Sequence, residues 1–439
     1  MAFWQKEEET LERGQIEKLQ LQRLKETTKT VYSKVGYYRD KLDEAGIRPE
    51  DIKTLSDIDK LPFTSKEDIR VNYPYGLLAV PMRDIVRVHA SSGTTGVPTV
   101  VGYTKNDLKM WSDLVARFIM AAGVNADDIA QISFGYGLFT GALGLHYGLE
   151  SVGAAVIPVS SGNTERQINI MREFGSTVLI STPTYAMYIA ETAAGMGIGK
   201  QDLKLRVGLF GSEGCSAEMR DMIEEKLGLF ATDNYGLSEL LGPGISGECE
   251  YRDGMHIAED HFLPEIIDPD TGEKLADGET GELVLTSLTR QGMPLLRYRT
   301  KDITRIDYEP CRCGRTHARM AKPMGRSDDM LKIKGVNVFP TQIESALLGI
   351  DGLGAHYQII VRRENYMDNI EVMVELVDGS LLERYSELES LQNRIAARIM
   401  SILGLDSKVT LCSPMTIERF QGKAKRVVDL RFQDQDGKK

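Results

Sequence analysis

Between Ala130 and Leu227 the chain alternates short β-favouring apolar runs with segments of helical period, and this alternation limits the fold more than any other feature. The strand-like runs are Ala130 to Ser133, Ala155 to Pro158, Val178 to Ile180 and Val207 to Phe210. The helical ones are Thr164 to Phe174, Thr184 to Ala194 and Ala217 to Leu227. Strands joined by crossover helices run parallel and are covered on both faces, so they need no polar alternation. Asn106 to Gly123 predicts a further helix, with Leu108, Trp111, Leu114, Val115 and Phe118 on one stripe. From Gly281 the texture turns to β, at Gly281 to Ser287 and Ile303 to Tyr308. The polar, glycine-led stretch Gly325-Arg326-Ser327-Asp328-Asp329 then offers a boundary. Beyond it Thr341 to Leu348 and Glu383 to Ile402 predict helices, and His356 to Arg362, Ile370 to Val377 and Val409 to Cys412 predict strands. At 439 residues the chain exceeds one typical core. An α/β fold is expected, with a large multi-sheet N-terminal domain and a small α+β C-terminal domain.

The N-terminus, Met1 to Thr30, spreads Glu and Lys among apolar residues at helical spacing (Leu11, Ile16, Leu19, Leu24), which predicts an amphipathic surface helix and not a signal peptide. Tyr37 to Phe63 reads as a loop-rich lead-in, and Thr64-Ser65-Lys66-Glu67 as a helix start. A net charge of -11 argues against a nucleic acid as the main partner. The most apolar region, Leu138 to Val159, is interrupted by His146 and Glu150, so no membrane span is expected. A cytoplasmic location follows. Five cysteines in a chain of this size make no disulfide framework; in a reducing compartment thiols are buried, metal-bound or free.

Ser91-Ser92-Gly93-Thr94-Thr95-Gly96-Val97-Pro98-Thr99 lies between the β-favouring Asp84 to His89 and Val100 to Tyr103, so it joins two strands. Its glycines let backbone N–H groups turn inward, and its hydroxyls add donors, which together make a cradle for a polyphosphate. It is not a Walker A loop, because the glycines are too close and no Gly-Lys runs into a helix. A polar surface turn is the competing explanation.

These stretches resemble, in order along nearly the whole chain, the acyl-adenylate-forming superfamily and its phenylacetate-CoA ligase branch. The matching segments are the Ser91 to Gly96 loop, Phe134-Gly135-Tyr136-Gly137, Gly211-Ser212-Glu213, Asn234-Tyr235-Gly236-Leu237-Ser238-Glu239, Tyr298-Arg299-Thr300-Lys301-Asp302, Gly325 to Asp329 and Gly422-Lys423. The resemblance implies that a carboxylate attacks the α-phosphate of ATP to give an acyl-adenylate and pyrophosphate, after which the thiol of coenzyme A displaces AMP. Both steps spread negative charge over oxygens, so positioning and electrostatics dominate. It further implies an adenylation domain over residues 1–327 and a mobile domain over 328–439, with Asp328 as hinge.

By the same resemblance, Ser91, Ser92, Gly93, Thr94, Thr95 and Gly96 hold phosphate, Glu239 binds Mg²⁺, and Tyr235 offers a ring to the adenine. Gly211, Ser212, Glu213, Asn234 and Gly236 place backbone near its edge. Asp302 accepts from the ribose hydroxyls, Arg326 contacts phosphate or ribose, and Lys423 reaches the α-phosphate during adenylation. Lys334 and Gly335 lie where the thiol would pass. The residues alone also fit a solvated loop Glu, a core tyrosine, a salt bridge of Asp302 to Arg299 or Arg305, a surface arginine and an ordinary basic turn. One departure stands out: the family's loop usually has Lys after the second Gly, and this chain has Val97.

Cys249 with His256, and Cys311-x-Cys313-Gly314, supply three thiolates and an imidazole, the soft set that a closed tetrahedral Zn²⁺ site takes. His261 or His317 could replace His256, and free thiols are the alternative; the resemblance implies that some members of the branch carry such a structural site. Cys215 and Cys412 read as small core residues. Phe134, Tyr136 and Phe139 lie on a glycine-studded apolar stretch that makes either a flat slot for an aromatic ring or plain core. His89 and His146 read as structural. The expectation is an ATP- and Mg²⁺-dependent arylacetate-CoA ligase, its oligomeric state open to a homodimer. The rivals are an enzyme adenylating another acid or acceptor, such as indoleacetate or as in coenzyme F390 synthetase, and a non-catalytic ATP-binding sensor.

Overall fold

Five strands, Ala155–Ile157, Ile129–Ile132, Val178–Ser181, Val207–Phe210 and Phe230–Leu237, lie side by side in that order and run parallel in the computed structural model of the chain. It describes residues 2–91, 98–334, 336–364, 367–419 and 426–431. Every residue of Val178–Ser181 and Val207–Phe210 is buried, as a parallel sheet covered on both faces requires. Beyond Phe230–Leu237 the sheet turns antiparallel through Gly242–Glu248 and Met255–Ile257, then Arg319–Met320 and Ile306–Asp307.

Contacts divide the chain into two units. The first comprises residues 1–181, 200–212 and 229–323, and the second residues 182–199, 213–228 and 324–439. Besides the main sheet, the first unit holds the antiparallel strands Phe262–Ile267, Gly281–Ser287 and Tyr298–Thr304. It also holds an antiparallel hairpin of Arg87–Ser91 and Thr99–Tyr103, with Ser91 opposite Thr99. Its helix Lys105–Ala121 starts with Thr104 accepting from the Asp107 amide and buries Trp111, Leu114, Val115 and Phe118 against the core, the stripe expected from the sequence.

Two local readings of the N-terminal region change. The predicted single helix is two, Lys6–Glu9 and Arg13–Lys34, the second opened by a capping box at Glu12 and burying Ile16, Leu24 and Val31. The predicted loop-rich lead-in contains a helix, Gly36–Glu44, whose buried face is only Tyr38 and Leu42 at i, i+4 spacing. Two apolar residues among charges are too weak a periodic signal to read beforehand.

In the second unit the helices Pro183–Gly195 and Ala217–Leu227 join a four-stranded sheet ordered Ser407–Cys412, Met367–Leu376, Leu353–Glu364, Val427–Asp429. Its middle strands form a long antiparallel hairpin and its outer strands run parallel to their neighbours. Helices Pro340–Leu347 and Tyr385–Leu403 bury Ile343, Ile395 and Ile399 with Ile359 and Val372 in a separate core. Cys412 departs from the core reading: it is only half-buried, its thiol 3.4 Å from the Val374 carbonyl. No helix among the described residues is long and apolar enough to cross a membrane.

Candidate functional site

Strand Phe230–Leu237 ends in a four-residue turn, Ser238 to Leu241, before the chain doubles back as Gly242–Glu248. Gly236 permits that reversal, since a Cβ there would lie 2.0 Å from the Gly242 carbonyl oxygen. Glu239 is thereby held at the sheet margin and is only 5% exposed. Its carboxylate meets Lys66 Nζ at 3.3 Å. Beneath it the buried Arg290 donates to the Glu239 carbonyl at 2.6 Å, to the Leu240 carbonyl, and to the Gly102 carbonyl of strand Thr99–Tyr103 at 3.3 Å. Arg290 also stacks 4.8 Å over the Tyr103 ring, whose hydroxyl donates to the Leu241 carbonyl. One guanidinium therefore ties the strand that follows the Ser/Thr/Gly loop to the turn that carries Glu239.

Four residues earlier the Tyr235 hydroxyl donates to Asp302 Oδ2 at 2.6 Å. Asp302 is buried, and its amide is held by Thr300 Oγ1 at 3.1 Å. The salt bridge to Arg299 considered from the sequence does not form, because Arg299 forks onto Glu282 at 3.0 and 2.6 Å. Asn234 donates its side-chain amide to the Phe210 carbonyl at 2.7 Å, closing the gap beside Gly211, and Ser212 sits in the left-handed region at φ 71°. A non-glycine residue there is strained, a feature that clusters at ligand sites. The first unit thus brings together Glu239, Tyr235, Asn234, Gly236 and Asp302 on one strand, its turn and a neighbouring sheet.

The remaining predicted residues are distributed differently. Glu213, Arg326, Asp328 and Lys334 fall in the second unit. There Glu213 accepts from the Thr184 amide at 2.8 Å, at the start of helix Pro183–Gly195. Arg326 forks onto Asp328 at 2.8 and 2.9 Å. Lys334 is exposed with φ 49°. Ser92, Gly93, Thr94, Thr95, Gly96, Gly335 and Lys423 lie outside the described residues. Ser91 closes strand Arg87–Ser91.

Phe134 and Tyr136 are half-buried against the main core and Phe139 is 50% exposed. Thr140 Oγ1 and Ser238 Oγ, 2.9 Å apart, join the end of that stretch to the Glu239 turn. His89 is packed edge-on against Tyr103 and Trp111 with Nδ1 at 3.0 Å from the Leu138 carbonyl.

A second cluster occupies the antiparallel end of the main sheet. One donor atom each from Cys249, His256, Cys311 and Cys313 lies within 4.8 Å of all the others. Cys249 and Cys311 sulfurs are 3.8 Å apart, and Cys313 Sγ is 3.3 Å from His256 Nε2. The Cys313 and Arg315 amides point at the Cys311 and Cys313 sulfurs from 3.5 Å, through a turn that Gly314 allows at φ 85°. Of the three candidate histidines the fold selects His256. His317 bonds the Glu8 and Ile257 carbonyls, and His261 faces Thr289 and Asp260. The Cys249 thiol, bonding Cys313, drives the Cys313 thiol far down, with His256 adding to it; the Cys249 thiol is driven up by the same bond and by burial. Burial disfavours charge on His256, but Cys311 and Cys313 override it and raise the imidazole. Negative charge gathered inside a buried ring of soft donors, with N–H groups aimed at sulfur, is the environment a divalent cation replaces.

Lys66, Arg290 and the shell around the cysteines were not singled out in the sequence. Lys66 alone left a signal: it opens helix Lys66–Val71, where the helix dipole disfavours a cation.

The profile of the AMP-binding enzyme family matches residues 13–289, and that of the AMP-binding enzyme C-terminal domain matches residues 335–431. The chain is 48% identical to the phenylacetate-coenzyme A ligase of Thermus thermophilus over 98% of its own length and 100% of that protein. To the enzyme of the same name from Escherichia coli it is 47% identical over 96% of its length and 97% of that protein. Among solved structures, 2-hydroxyisobutyryl-CoA ligase in the postadenylation state with its acyl-AMP aligns with a TM-score of 0.91 at 28% identity, covering 97% of this chain and 91% of that one.

Proposed function

The chain belongs to the phenylacetate-CoA ligase family of AMP-binding enzymes, which makes it an ATP-dependent acid–thiol ligase, and from that premise we propose that its acid is an arylacetic acid of the phenylacetate type. The observation that carries this reading is the 48% identity to a phenylacetate-coenzyme A ligase over 98% of this chain and the whole of that protein. The geometry supports it: the half-buried Phe134 and Tyr136 end in Thr140, which is bonded to the residue before Glu239. An aromatic slot there would put the carboxylate of a short arylalkanoic acid beside the phosphate-handling turn.

In this reading the Tyr235 ring, held by its bond to Asp302, carries the adenine, with Gly211, Ser212, Glu213, Asn234 and Gly236 at its edge. Asp302, an acceptor-only carboxylate, orients the ribose. Ser91 and residues 92–96 cradle the phosphates, with Lys66, paired to the Glu239 carboxylate, as a side-chain countercharge where the loop sequence has Val97 in place of lysine. Glu239 is the residue to hold Mg²⁺, and the ion, when bound, neutralises charge on the phosphate oxygens. Lys423 contributes a positive charge at the α-phosphate during adenylation, and Arg326 contacts phosphate or ribose. We further propose an adenylation domain over residues 1–327, a mobile domain over 328–439 with its pivot at Asp328, and Lys334 and Gly335 beside the path of the thiol.

Cys249, His256, Cys311 and Cys313 are the residues that would hold a structural Zn²⁺: four protein donors would leave no open position, and soft sulfur ligands favour zinc over magnesium. Three of the five cysteines gathered as candidate metal ligands support a reducing, cytoplasmic setting. A panel of aryl and alkyl carboxylic acids, assayed for AMP release with and without coenzyme A, tests the whole reading. The expected result is AMP and acyl-CoA in equal amounts with phenylacetate-like acids. Acid-dependent AMP release without a thioester, or turnover restricted to non-aromatic acids, would overturn it.

A further inference from the structure

The stretch 134–139 leads directly into helix Gly141–Val152, and within two turns that helix folds a side chain back onto it. His146 Nδ1 lies 3.0 Å from the Tyr136 hydroxyl oxygen, and His146 Nε2 lies 3.0 Å from Glu150 Oε1. The Tyr136 and His146 rings meet edge to face at 86°, centroids 5.8 Å apart. His146 and Glu150 share a helix face through their i, i+4 spacing.

For the neutral imidazole, the donor inventory sets the order of protons along this chain. A carboxylate only accepts, so the neutral imidazole presents its N–H at Nε2 and its bare lone pair at Nδ1. Tyr136 must then donate its O–H to Nδ1. Burial, reinforced by the Glu150 charge, pushes the Tyr136 phenol up, so the group remains an O–H donor and not a phenolate. Among the described residues no protein group donates to the Tyr136 oxygen, whose lone pairs stay available. A carboxylate at the far end of a hydrogen-bonded chain polarises each link and enriches the last oxygen as an acceptor.

We propose that His146 and Glu150 are positioning residues that set the Tyr136 hydroxyl oxygen as a hydrogen-bond acceptor on the wall of the acid slot, so that arylacetic acids bearing an O–H or N–H donor on the ring are ranked above isosteric acids bearing an apolar group there. The inference rests on the reading of residues 134–139 as that slot. It gives the slot a polarity its aromatic residues alone do not: a donor-bearing ring gains a bond, and an apolar substituent covers an acceptor and leaves it unpaired.

The test is the ratio of kcat/KM for ring-hydroxylated phenylacetates to that for the matching methyl isomers, measured as thioester formation by the full-length enzyme. Wild type is expected to favour at least one hydroxyl isomer by about tenfold, the size of one hydrogen bond. Tyr136→Phe should bring that ratio to about one. His146→Leu and the surface substitution Glu150→Gln, the least disruptive to folding, should lower it several-fold and about twofold as the polarising chain is cut further from the ring. A uniform fall for all acids would mark a purely structural role and overturn the proposal, as would a ratio that is the same in wild type and all three variants. Phe134→Ala separates the two layers of the argument. If it leaves KM unchanged for every aryl acid, the slot itself is misplaced; if it raises KM for all of them while the ratio ignores Tyr136, His146 and Glu150, only the polarity inference fails.

Discussion

The cysteine corner and the Glu239 turn are both buried clusters of charge in the first unit, yet they are built on opposite logic. At the corner every donor faces another donor: three sulfurs and an imidazole converge, and backbone N–H groups close in from outside. Around them Arg315 pairs with Glu9 at 2.6 Å and reaches the Ala2 carbonyl, while His317 grips the Glu8 carbonyl. At the turn one carboxylate is countered by Lys66, a lysine whose side chain is 36% exposed at the start of a short helix. A compact, flexible ammonium is a partner that an arriving cation or phosphate can displace. On the proposed reading, burial therefore does not separate a structural metal site from a nucleotide-handling one. The separation lies in whether the countercharge is free to leave.

The strongest way to break the comparison is to exchange the consequences of substitution at the two clusters. Glu239→Gln keeps volume and removes charge, so adenylate formation should fall by about a thousandfold, as for loss of a preorganised electrostatic group, with the melting temperature within a few degrees of wild type. Cys311→Ser should do the reverse: a large drop in melting temperature and near-normal kcat per folded molecule. A stable, inactive Cys311→Ser would erase the distinction.

Stripping metal from the corner should cost the first unit several kcal/mol, because an ion bound only in the folded state contributes its binding free energy to folding. The corner is also where the chain's start is fastened, through Ala2, Glu8 and Glu9. Trp4, whose amide is held by Glu9 and whose indole N–H donates to Asp113 at 3.0 Å, should then move into water. A red shift in emission that disappears in Trp4→Phe reads this directly, since Trp111 is buried elsewhere. An unchanged spectrum and unchanged proteolysis near residue 10 after chelation would show the corner to be indifferent to metal.

The difference between the clusters also explains what the sequence disclosed. The soft ligands were readable because Cys-x-Cys-Gly is local and because zinc needs thiolates and imidazole in any fold. Which histidine joins them was read as His256, with His261 and His317 left open. That depends on strand Met255–Ile257 pairing with Arg319–Met320, a long-range register that sets His256 opposite Arg319. The parallel sheet was legible for the same local reason, since its strands are short continuous apolar runs between periodic helices. The partners of Glu239 were harder to read: apart from its unfavourable place in the helix dipole Lys66 looked like part of a helix start, Arg290 looked like any basic residue, and only tertiary packing brings either to the turn. His146 was read as structural from its neighbours, and Glu150 at i+4 is the local feature of the sequence that orients its imidazole.

Within the open cluster, Tyr235 and Asp302 form one unit through their 2.6 Å bond. Asp302→Asn should raise KM for ATP about tenfold, one charge-assisted hydrogen bond lost, and Tyr235→Phe should raise it less. The double substitution should cost less than the sum, because the two act on one hydrogen-bonded pair. Strict additivity would separate them and leave Tyr235 as plain core.

The smallest expected effect sharpens the comparison from outside both clusters. Glu344 in the second unit is 6% exposed, and the cation paired with it, Arg426, is 3.8 Å away. Burial pushes its carboxyl up to about 7 against the pull of Arg426. The folded state therefore holds a proton that the unfolded chain releases near 4.5. Glu344 contributes its full stability below that value, and the contribution is lost as pH rises toward about 7. Glu344→Gln, which keeps the neutral shape at every pH, should leave the second unit's stability unchanged near pH 4.5 and raise it by about 1–2 kcal/mol at pH 8, part of the gain being offset by Arg426 losing its partner. Denaturant unfolding of both proteins at the two pH values reads the difference. A substitution that destabilises more at pH 8 than at pH 4.5 would mean that Arg426 compensates the buried carboxylate fully, and that closure by distance is as effective as closure by direct contact.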